Sequence, residues 1–525
     1  MKDKQRSLVG GISILGIAGL ICKVVGVLYL IPLANLIGAQ GLGVYNQIFP
    51  SYNLMLTISS AGIPVAISRM VAARLALGQT RNSARVFRVA LIMLSALGLV
   101  SMLGMLLFSG QLAHATGTPE SVHGFMMIAP SLLLVCVMSA FRGYMQGRRR
   151  MWPTAISQLI EQVGKVGLAL PLAYVFMRRG GYSLGVAGAL LGTSLAEAAA
   201  LLYMALDFFW MRNRLENTLQ TELTPMEARR PIARELILTA VPITIGACIV
   251  PLAGAVDSFM LVRLMKAYLP ADTALSHYGI YAGLVISLIN VPTALAMAMS
   301  SNLVPAISAR RAAGDRQGIR RDTSAGLRLA VVIGLPSSIG MSLLAEPILT
   351  LLFHSKYTVE ELRLGGQLLS ISALTIVVFT LVQATSGILQ GLYKQRIPMY
   401  TLFLGVLVKI AINYTAVQQP GTGIFGAPFA SLTCYIISAG LNLYYVAKYT
   451  DVRLEWKELL LRPGLSTLLM AVPVVTMSRL LGRRLYTSWL WMGLVILLAV
   501  AVYAAAALWT GALKRSDLPA FIKKG

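Results

Sequence analysis

Two lysine residues lie deep within apolar stretches of the chain, where a positive charge is costly. Lys165 and Lys409 are each preceded by a Gly-x-x-Gln-Gly pattern, a short basic turn and a proline, Pro153 or Pro398. Proline is tolerated in the first turn of a helix, where its missing N–H would be unpaired anyway. An ionisable group at mid-depth in a membrane is usually functional. The repetition therefore indicates a duplicated membrane protein with a polar path between its halves.

An acidic residue accompanies the first of these lysines. Glu161 lies four residues before Lys165, so the two share one face of a helix. The pair is either structural and mutually neutralised, or it lines a cavity and releases its lysine to a ligand in one conformation. Lys409 has no acidic residue at the matching place, so it needs water, a carbonyl group or an anionic ligand. Glu197, at mid-depth in another apolar stretch, is either a second partner for Lys165 or a protonatable coupling site.

Four further charged residues are candidates for binding, gating or coupling. Lys23 lies midway along the first apolar stretch, where reaching the membrane surface is difficult, and this favours a cavity position. Asp257 has Arg263 about a turn and a half beyond it, which is typical of an interfacial ion pair, with coupling as the alternative. Arg69 and Arg142 lie at predicted inner helix ends. Topology alone explains them, but their place in repeated motifs also allows a role in an inner gate.

The elements that must position these residues are apolar stretches of about 20 residues, the length at which a helix crosses a bilayer. The chain has 525 residues, of which 57% are hydrophobic and 12% charged, and this excludes an ordinary soluble domain. We predict an all-α polytopic membrane protein with about fourteen transmembrane helices. The predicted spans are 8–37, 43–73, 86–109, 124–145, 153–177, 184–211, 235–262, 277–304, 326–353, 364–391, 398–417, 425–448, 463–481 and 488–511. Helix breaks are expected at the Gly-Ile-Pro of 62–64 and the Asn-Val-Pro of 290–292.

The basic residues predict the orientation of these spans. Most of the 45 Lys and Arg residues fall in alternate connecting segments, so we place those segments and both termini on the cytoplasmic side. Basic loops of this kind also account for the net charge of +25 without nucleic acid as a partner.

The internal repeat predicts the division of the chain. Similar motifs recur in the same direction after an even number of spans, so the repeats are parallel. We therefore predict an N-terminal six-helix lobe over 1–211 and a cytoplasmic linker over 212–234. A C-terminal six-helix lobe over 235–449 and two additional helices with a tail over 450–525 complete the chain.

The sequence offers no pattern for a metal, a nucleotide or catalysis. Four cysteines lie far apart inside apolar stretches, and four histidines fall in predicted outer segments, without zinc-ligand spacing. The phosphate-binding GxxxxGK[ST] loop does not occur, and we find neither paired carboxylates nor a nucleophile motif. We predict no cofactor, no metal and no catalytic residues.

Several motifs resemble a known family. They are LGVY (42–45), GIPVAISR (62–69), FRGYMQG (141–147), SQLIEQ (157–162) and LVPAIS (303–308). Together they look like the polysaccharide-biosynthesis branch of the MOP exporters, which includes stage V sporulation protein B and the MurJ-type lipid II flippases. The likeness extends over nearly the whole chain.

The resemblance implies two six-helix lobes forming a V, two extra helices making a groove for a lipid tail, and alternating access for a polyprenyl-diphosphate-linked sugar. In lipid II flippases the first span carries a cationic residue before a glycine, as Lys23 stands before Gly26 here. At a second cationic position one turn later, this chain has Tyr29. Cavity lysines suit a diphosphate, and movement of an anion out of an inside-negative cell is favoured by about 2.3 kcal/mol per charge per 100 mV. Without an ATP site, the membrane potential or ion coupling through Glu197 or Glu161 would drive transport.

These observations favour a monomeric flippase for the lipid II peptidoglycan precursor in the bacterial plasma membrane, with membrane lipids and cell-wall synthesis proteins as partners. Another lipid-linked polysaccharide or a spore-cortex precursor is the main alternative. A multidrug antiporter of the MATE type would favour an acidic cavity, and a membrane glycosyltransferase would favour long outer loops with catalytic acids. A scaffold without transport activity would not explain the buried charges.

Overall fold

The protein is built almost entirely from helices, as its apolar stretches predict. The computed structural model describes residues 2–220, 225–452 and 455–513, except for the side chains of residues 2–17, 20, 23, 27, 212–220 and 249. No strand occurs within these ranges. The helices are α1 Lys2–Ser60, α2 Ile63–Ala76, α3 Thr80–Leu107, α4 Ser109–Thr116, α5 Val122–Gly147, α6 Trp152–Gly164, α7 Leu170–Gln220, α8 Arg229–Met265, α9 Ala271–Tyr278, α10 Ile286–Ala312, α11 Arg316–Leu343, α12 Ala345–Phe353, α13 Val359–Ser372, α14 Leu374–Gly391, α15 Arg396–Val417, α16 Gly426–Thr450, α17 Arg462–Leu481, α18 Arg483–Thr487 and α19 Trp489–Trp509.

Twelve helical stretches within the described residues are long and apolar enough to cross a membrane. Two of them, Val24–Ala76 and Trp152–Met211, contain 53 and 60 residues, more than twice the roughly 20 needed for one crossing. Each contains glycine with non-helical backbone, at Gly38 in the first and at Gly180 and Gly181 in the second. The all-helical membrane fold is confirmed, and the number fourteen stays a prediction.

One of the two expected helix breaks is present. The break at the Gly-Ile-Pro sequence is confirmed, because α1 ends at Ser60 and α2 begins at Ile63 with proline in its first turn. The prediction of a break at the Asn-Val-Pro sequence is wrong, since α10 continues through Pro292. A π-helix over Gly279–Val285 precedes α10, and such local adjustments, with neighbouring helices, let a membrane helix tolerate an internal proline.

The repeated motif adopts the same local structure in both places. α5 ends at Gly147 and α14 at Gly391. Two residues after each glycine the backbone is left-handed, at Arg149 with φ 62° and at Tyr393 with φ 56°. A helix with proline near its start follows each turn. The predicted order of helix, basic turn and proline-initiated helix is thus confirmed in both copies.

The two glycines that end the motif allow close helix crossings. A Cβ atom on Gly147 would lie 2.8 Å from the carbonyl oxygen of Ser68 on α2. A Cβ atom on Gly391 would lie 2.9 Å from the carbonyl oxygen of Val304 on α10, and Ser308 donates a hydrogen bond to the Gly391 carbonyl at 3.1 Å. Small residues at membrane helix crossings let backbones approach in this way.

We expect Gly391→Ala to lower the free energy of unfolding by about 1–3 kcal/mol. The new methyl group would meet the backbone oxygen of Val304 and the β-branched side chain of Ile307, and neither can move aside easily. Gly440 on α16 is the matched control, since a Cβ atom there would meet nothing within 4 Å. Gly440→Ala should leave stability unchanged or raise it by up to about 1 kcal/mol. Chemical denaturation in detergent micelles measures both variants. Equal effects would show that the crossing at Gly391 tolerates a side chain.

The chain forms two compact units by internal contacts. The first comprises residues 1–263 and 271–279, and the second comprises 264–270 and 280–525. The core of the first unit joins α2, α3, α5, α7 and α8, and includes an aromatic cluster around Phe87, Phe141 and Phe208. In the second unit one apolar cluster joins α10, α11, α14 and α16, and another joins α12 to α17, α18 and α19.

Most of α8 packs with the first unit, although the internal repeat places it in the C-terminal lobe. Ile232, Leu236 and Ala240 belong to the core of the first unit. The backbone N–H of Gly62 also donates a hydrogen bond to the hydroxyl of Thr244 at 3.1 Å. Packing and sequence symmetry therefore divide the chain at different points, and the predicted domain boundaries, which follow the symmetry, stay a prediction.

Candidate functional site

Three charged side chains meet between α5 and α6 in the first unit. The carboxylate of Glu161 accepts a hydrogen bond from Lys165 Nζ at 3.2 Å through one oxygen and from Arg142 Nη2 at 3.3 Å through the other. The three side chains are only 15–17% exposed. Arg142 also donates from Nε to the hydroxyl of Ser157 at 3.0 Å. One carboxylate thus serves two cations, and the cluster carries one surplus positive charge.

The helices hold this cluster through local turns and small residues. Lys165 begins a π-helix, Lys165–Ala169, that links α6 to α7. A Cβ atom on Gly164 would lie 2.6 Å from the Cβ atom of Ala196, and one on Gly192 would lie 2.3 Å from the backbone of Ala169. The second half of α7 therefore lies close against the segment that carries Lys165. Single-turn π-helices within α-helices are frequent at functional sites.

Glu197 lies next to this close approach. It is 2% exposed, and the phenol of Tyr52 donates a hydrogen bond to its Oε1 at 3.2 Å. Its Oε2 is buried and has no hydrogen-bond partner at normal distance and angle among the described residues, although the Ser131 hydroxyl is close enough to act on this carboxyl group. The charges of Lys165 and Glu161 both act on the Glu197 carboxyl group. A carboxylate with one oxygen unpaired is costly to bury in its charged form.

The segment of α1 around Lys23 packs beside the same cluster. Cys22 is within electrostatic range of Glu161 and Lys165, and a Cβ atom on Gly26 would lie 3.8 Å from the side-chain oxygen of Gln162. The side chain of Lys23 itself lies outside the described residues. Its backbone belongs to α1, between Cys22 and Val24.

Tyr29, three residues after Gly26 on α1, is buried with 6% of its surface exposed. Its phenol has no hydrogen-bond partner in the described part of the chain. The resemblance to lipid II flippases implies a second cation at this position. This chain instead has tyrosine, a neutral hydrogen-bond donor.

Lys409 belongs to the second unit and lies on α15, whose seam with α16 contains Thr401 and Gly405, about two turns and one turn before it. It is 6% exposed, and Asn413, one turn later, is fully buried. In the same seam Thr401 donates a hydrogen bond to the side-chain oxygen of Asn442 at 2.7 Å. Gly405 packs against Cys434, since a Cβ atom there would lie 2.6 Å from its carbonyl oxygen. The face of α15 that carries Lys409 thus packs closely against α16 and contains several polar side chains.

The remaining predicted residues are more accessible. Arg69 is exposed on α2, Asp257 is half-buried on α8, and Arg263 is exposed near the end of α8. A role for Arg69 in a gate and the pairing of Asp257 with Arg263 both stay predictions. Among the described residues, no three His, Cys, Asp or Glu side chains come together in a way that could hold a metal ion.

The arrangement in the first unit can bind an anion and respond to a proton. Because Arg142 also neutralises Glu161, Lys165 can leave that carboxylate without stranding a buried negative charge. With Glu197 ionised, Arg142, Glu161, Lys165 and Glu197 carry no net charge. With Glu197 protonated, the same four groups carry one positive charge.

Three contacts of this site were not predicted from the sequence, and the first is the ion pair between Arg142 and Glu161. Ser157 supports Arg142 across the turn between α5 and α6, and Tyr52 reaches Glu197 from a position 145 residues earlier in the chain. Ser157 lies within the SQLIEQ motif, so the sequence did mark it as a candidate residue. No spacing rule connects Tyr52 to Glu197.

Comparison with known families gives two matches. Residues 8–310 match the family described as polysaccharide biosynthesis protein. Residues 242–415 match the family described as MatE. The first match covers more than half of the chain and includes the whole Arg142–Glu161–Lys165 cluster.

The curated relatives include the following two proteins of Bacillus subtilis (strain 168). Lipid II flippase MurJ is 23% identical over 546 residues, covering 99% of this chain and 98% of the relative. Stage V sporulation protein B is 24% identical over 459 residues, covering 86% of each chain. The similarity thus extends over 86% of one relative and 98% of the other.

Solved structures share the fold. The inward closed conformation of lipid II flippase MurJ superposes with a TM-score of 0.67 at 12% identity, covering 94% of this chain and 98% of that one. An inward-facing multidrug resistance MATE family transporter of the MOP superfamily also gives a TM-score of 0.67, at 15% identity, covering 84% of this chain and 98% of that one. At these identities the likeness shows the fold alone.

Proposed function

The chain belongs to the polysaccharide biosynthesis protein family, and from this premise we propose that it is a flippase for a lipid-linked saccharide. The substrate we favour is the lipid II peptidoglycan precursor, carried from the inner to the outer leaflet by alternating access. We place the protein in the bacterial plasma membrane as a monomer with both termini in the cytoplasm, where cell-wall synthesis proteins would be its partners.

The observation that carries this proposal is the surplus positive charge between α5 and α6. A diphosphate is the part of such a substrate that cannot cross hydrocarbon unaided, and a lysine ammonium is a compact donor to phosphate oxygens. Lys165 is the cation that can change partners, because Arg142 stays with Glu161. Lys23 and Lys409 are further candidates, but Lys409 has little exposed surface.

Glu197 is the group we assign to coupling. Its unpaired oxygen makes the neutral, protonated form favourable in a buried site, and protonation raises the net positive charge of the cluster. A protonated state would therefore hold the diphosphate more strongly than a deprotonated one. The membrane potential favours outward movement of the substrate by about 2.3 kcal/mol per charge per 100 mV.

A cellular test measures the leaflet distribution of the substrate. Cells depleted of their own lipid II flippase are supplied with this chain, and labelled lipid II is probed with a hydrolase that cannot cross the membrane. We expect outer-leaflet lipid II to return to the level of undepleted cells. Continued accumulation on the inner leaflet, with rescue of another lipid-linked glycan, would assign the chain to that neighbouring substrate.

We expect Glu197→Gln to preserve the fold and to remove the dependence of transport on an imposed proton gradient. Glutamine keeps an oxygen that accepts the hydrogen bond from Tyr52, but it cannot gain or lose a proton. Transport into proteoliposomes, with and without a pH difference, measures the effect. Glu360→Gln, at an exposed position on α13, is the control and should retain the parent's response. A proton response that persists in Glu197→Gln would place coupling elsewhere.

The match to the MatE family supports a second candidate function, export of organic cations. A cation exporter would need surplus negative charge at its binding site, whereas the described cluster has surplus positive charge. Transport of a lipophilic cation, unaffected by polyprenyl diphosphate, would favour this second function over the first.

A further inference from the structure

One face of α8 carries a stripe of exposed residues that changes from basic to apolar. Arg230 and Arg234 begin the stripe, and Leu238, Val241 and Ile245 continue it at spacings of three or four residues, which keep all five on one face. Leu238, Val241 and Ile245 are 64%, 47% and 56% exposed. The stripe therefore begins with two positive charges and continues along α8 as an exposed apolar surface.

A groove of about 600 Å³ lies at the charged end. Its lining is made of Arg230, Pro231, Arg234, Glu235, Leu238 and Thr239. Among the described residues, neither Arg230 nor Arg234 takes part in an ion pair. The one acidic residue of the lining, Glu235, bonds to Arg74 at 3.1 Å. As far as the described residues show, two guanidinium groups thus remain available to the groove.

Arg74 holds this region in place. It is 9% exposed and forms a two-point ion pair with Glu227, at 3.0 Å and 2.6 Å, as well as its bond to Glu235. Asn82 donates to the carbonyl of Pro225 and accepts from the N–H of Glu227. The start of α8 is therefore fixed against α2 and α3, and the groove is part of a well-bonded surface.

We propose that this groove binds the phosphate of an anionic glycerophospholipid whose acyl chains lie along Leu238, Val241 and Ile245. A phosphodiester supplies one negative charge and oxygens that match the planar donor pattern of arginine. The charge rule places the start of α8 on the cytoplasmic side, where basic pockets of membrane proteins bind anionic headgroups. The order of the stripe, two arginines and then apolar residues into the membrane, follows the order of groups in such a lipid.

Native mass spectrometry of the purified full-length chain tests the proposal with phosphatidylglycerol and phosphatidylethanolamine as probes. Each basic residue near a membrane surface contributes about 1 kcal/mol to anionic lipid binding, which corresponds to about fivefold in affinity. We expect Arg230→Gln with Arg234→Gln to weaken phosphatidylglycerol binding about 25-fold and to leave phosphatidylethanolamine unchanged. The matched control is Arg88→Gln with Arg316→Gln, which removes the same charge from two exposed positions elsewhere.

A cross-linking measurement tests the acyl-chain part independently. Leu238 is replaced by a photo-reactive phenylalanine derivative, and Leu206 on α7, 60% exposed, is the control position. We expect stronger cross-linking to phosphatidylglycerol from position 238. Equal losses in the two double variants, equal cross-linking at the two positions, or saturation by polyprenyl diphosphate in place of phosphatidylglycerol would overturn the proposal. None of these outcomes depends on whether the chain transports lipid II.

Discussion

Replacing Lys165 by methionine is expected to reduce transport of the lipid-linked saccharide by about 10- to 100-fold. A hydrogen bond to a charged group contributes about 1.5–3 kcal/mol, and this corresponds to that range. The fold should be retained, because Arg142 still pairs with Glu161 after the lysine is removed. Transport is measured from the appearance of labelled substrate on the far leaflet of proteoliposomes. Stability is measured in the same preparation by thermal unfolding.

The control for this prediction is Lys356→Met, at an exposed position between α12 and α13. It removes the same side chain and the same charge from a site outside the cluster, and we expect transport within about twofold of the parent. Full transport by Lys165→Met would show that the ammonium group does not contact the substrate. A large loss of stability in the same variant would instead assign Lys165 a structural role.

Replacing Glu161 by glutamine should have the largest effect on stability, a loss of about 3–5 kcal/mol. Removal of one partner from a buried ion pair leaves the other charge uncompensated, and here two cations, Arg142 and Lys165, would remain close together. Both are only 15% exposed, so water screens them poorly. Chemical denaturation in mixed micelles gives the free energy of unfolding.

A double variant separates charge repulsion from other effects of the substitution. Glu161→Gln combined with Lys165→Met removes the like-charge contact, and we expect it to recover part of the stability lost in the single variant. An unchanged loss in the double variant would mean that packing around residue 161, rather than its charge, stabilises the helix pair. A loss below about 1 kcal/mol in the single variant would show that water reaches the cluster freely.

The sequence predicts the local features of this protein better than the distant ones. The contact between Glu161 and Lys165 follows from helical spacing, because residues four apart share a face. The left-handed turns at Arg149 and Tyr393 end two copies of a motif whose repetition was visible from the residues alone. In each case the determining interactions span only a few residues.

Contacts that depend on helix packing were not predictable in the same way. Arg142 reaches Glu161 only because α5 lies against α6, so its predicted position at an inner helix end did not indicate its partner. The hydrogen bond between Tyr52 and Glu197 joins α1 to the second half of α7. α8 was assigned to a lobe by symmetry, whereas the apolar side chains of Ile232 and Leu236 pack it into the first unit. The free energy gained by burying such side chains determines where α8 packs, and the internal repeat of the sequence does not.

The π-helix that begins at Lys165 has a consequence for comparing this chain with its relatives. A π turn contains one residue more than an α turn, and one residue corresponds to about 100° of rotation around an α-helix. A single inserted or deleted codon within this segment would therefore rotate α7 relative to α6, while leaving every loop intact. Two chains with the same residues at this site would then differ in how α7 is rotated about α6, and an alignment without gaps inside helices would overlook the difference.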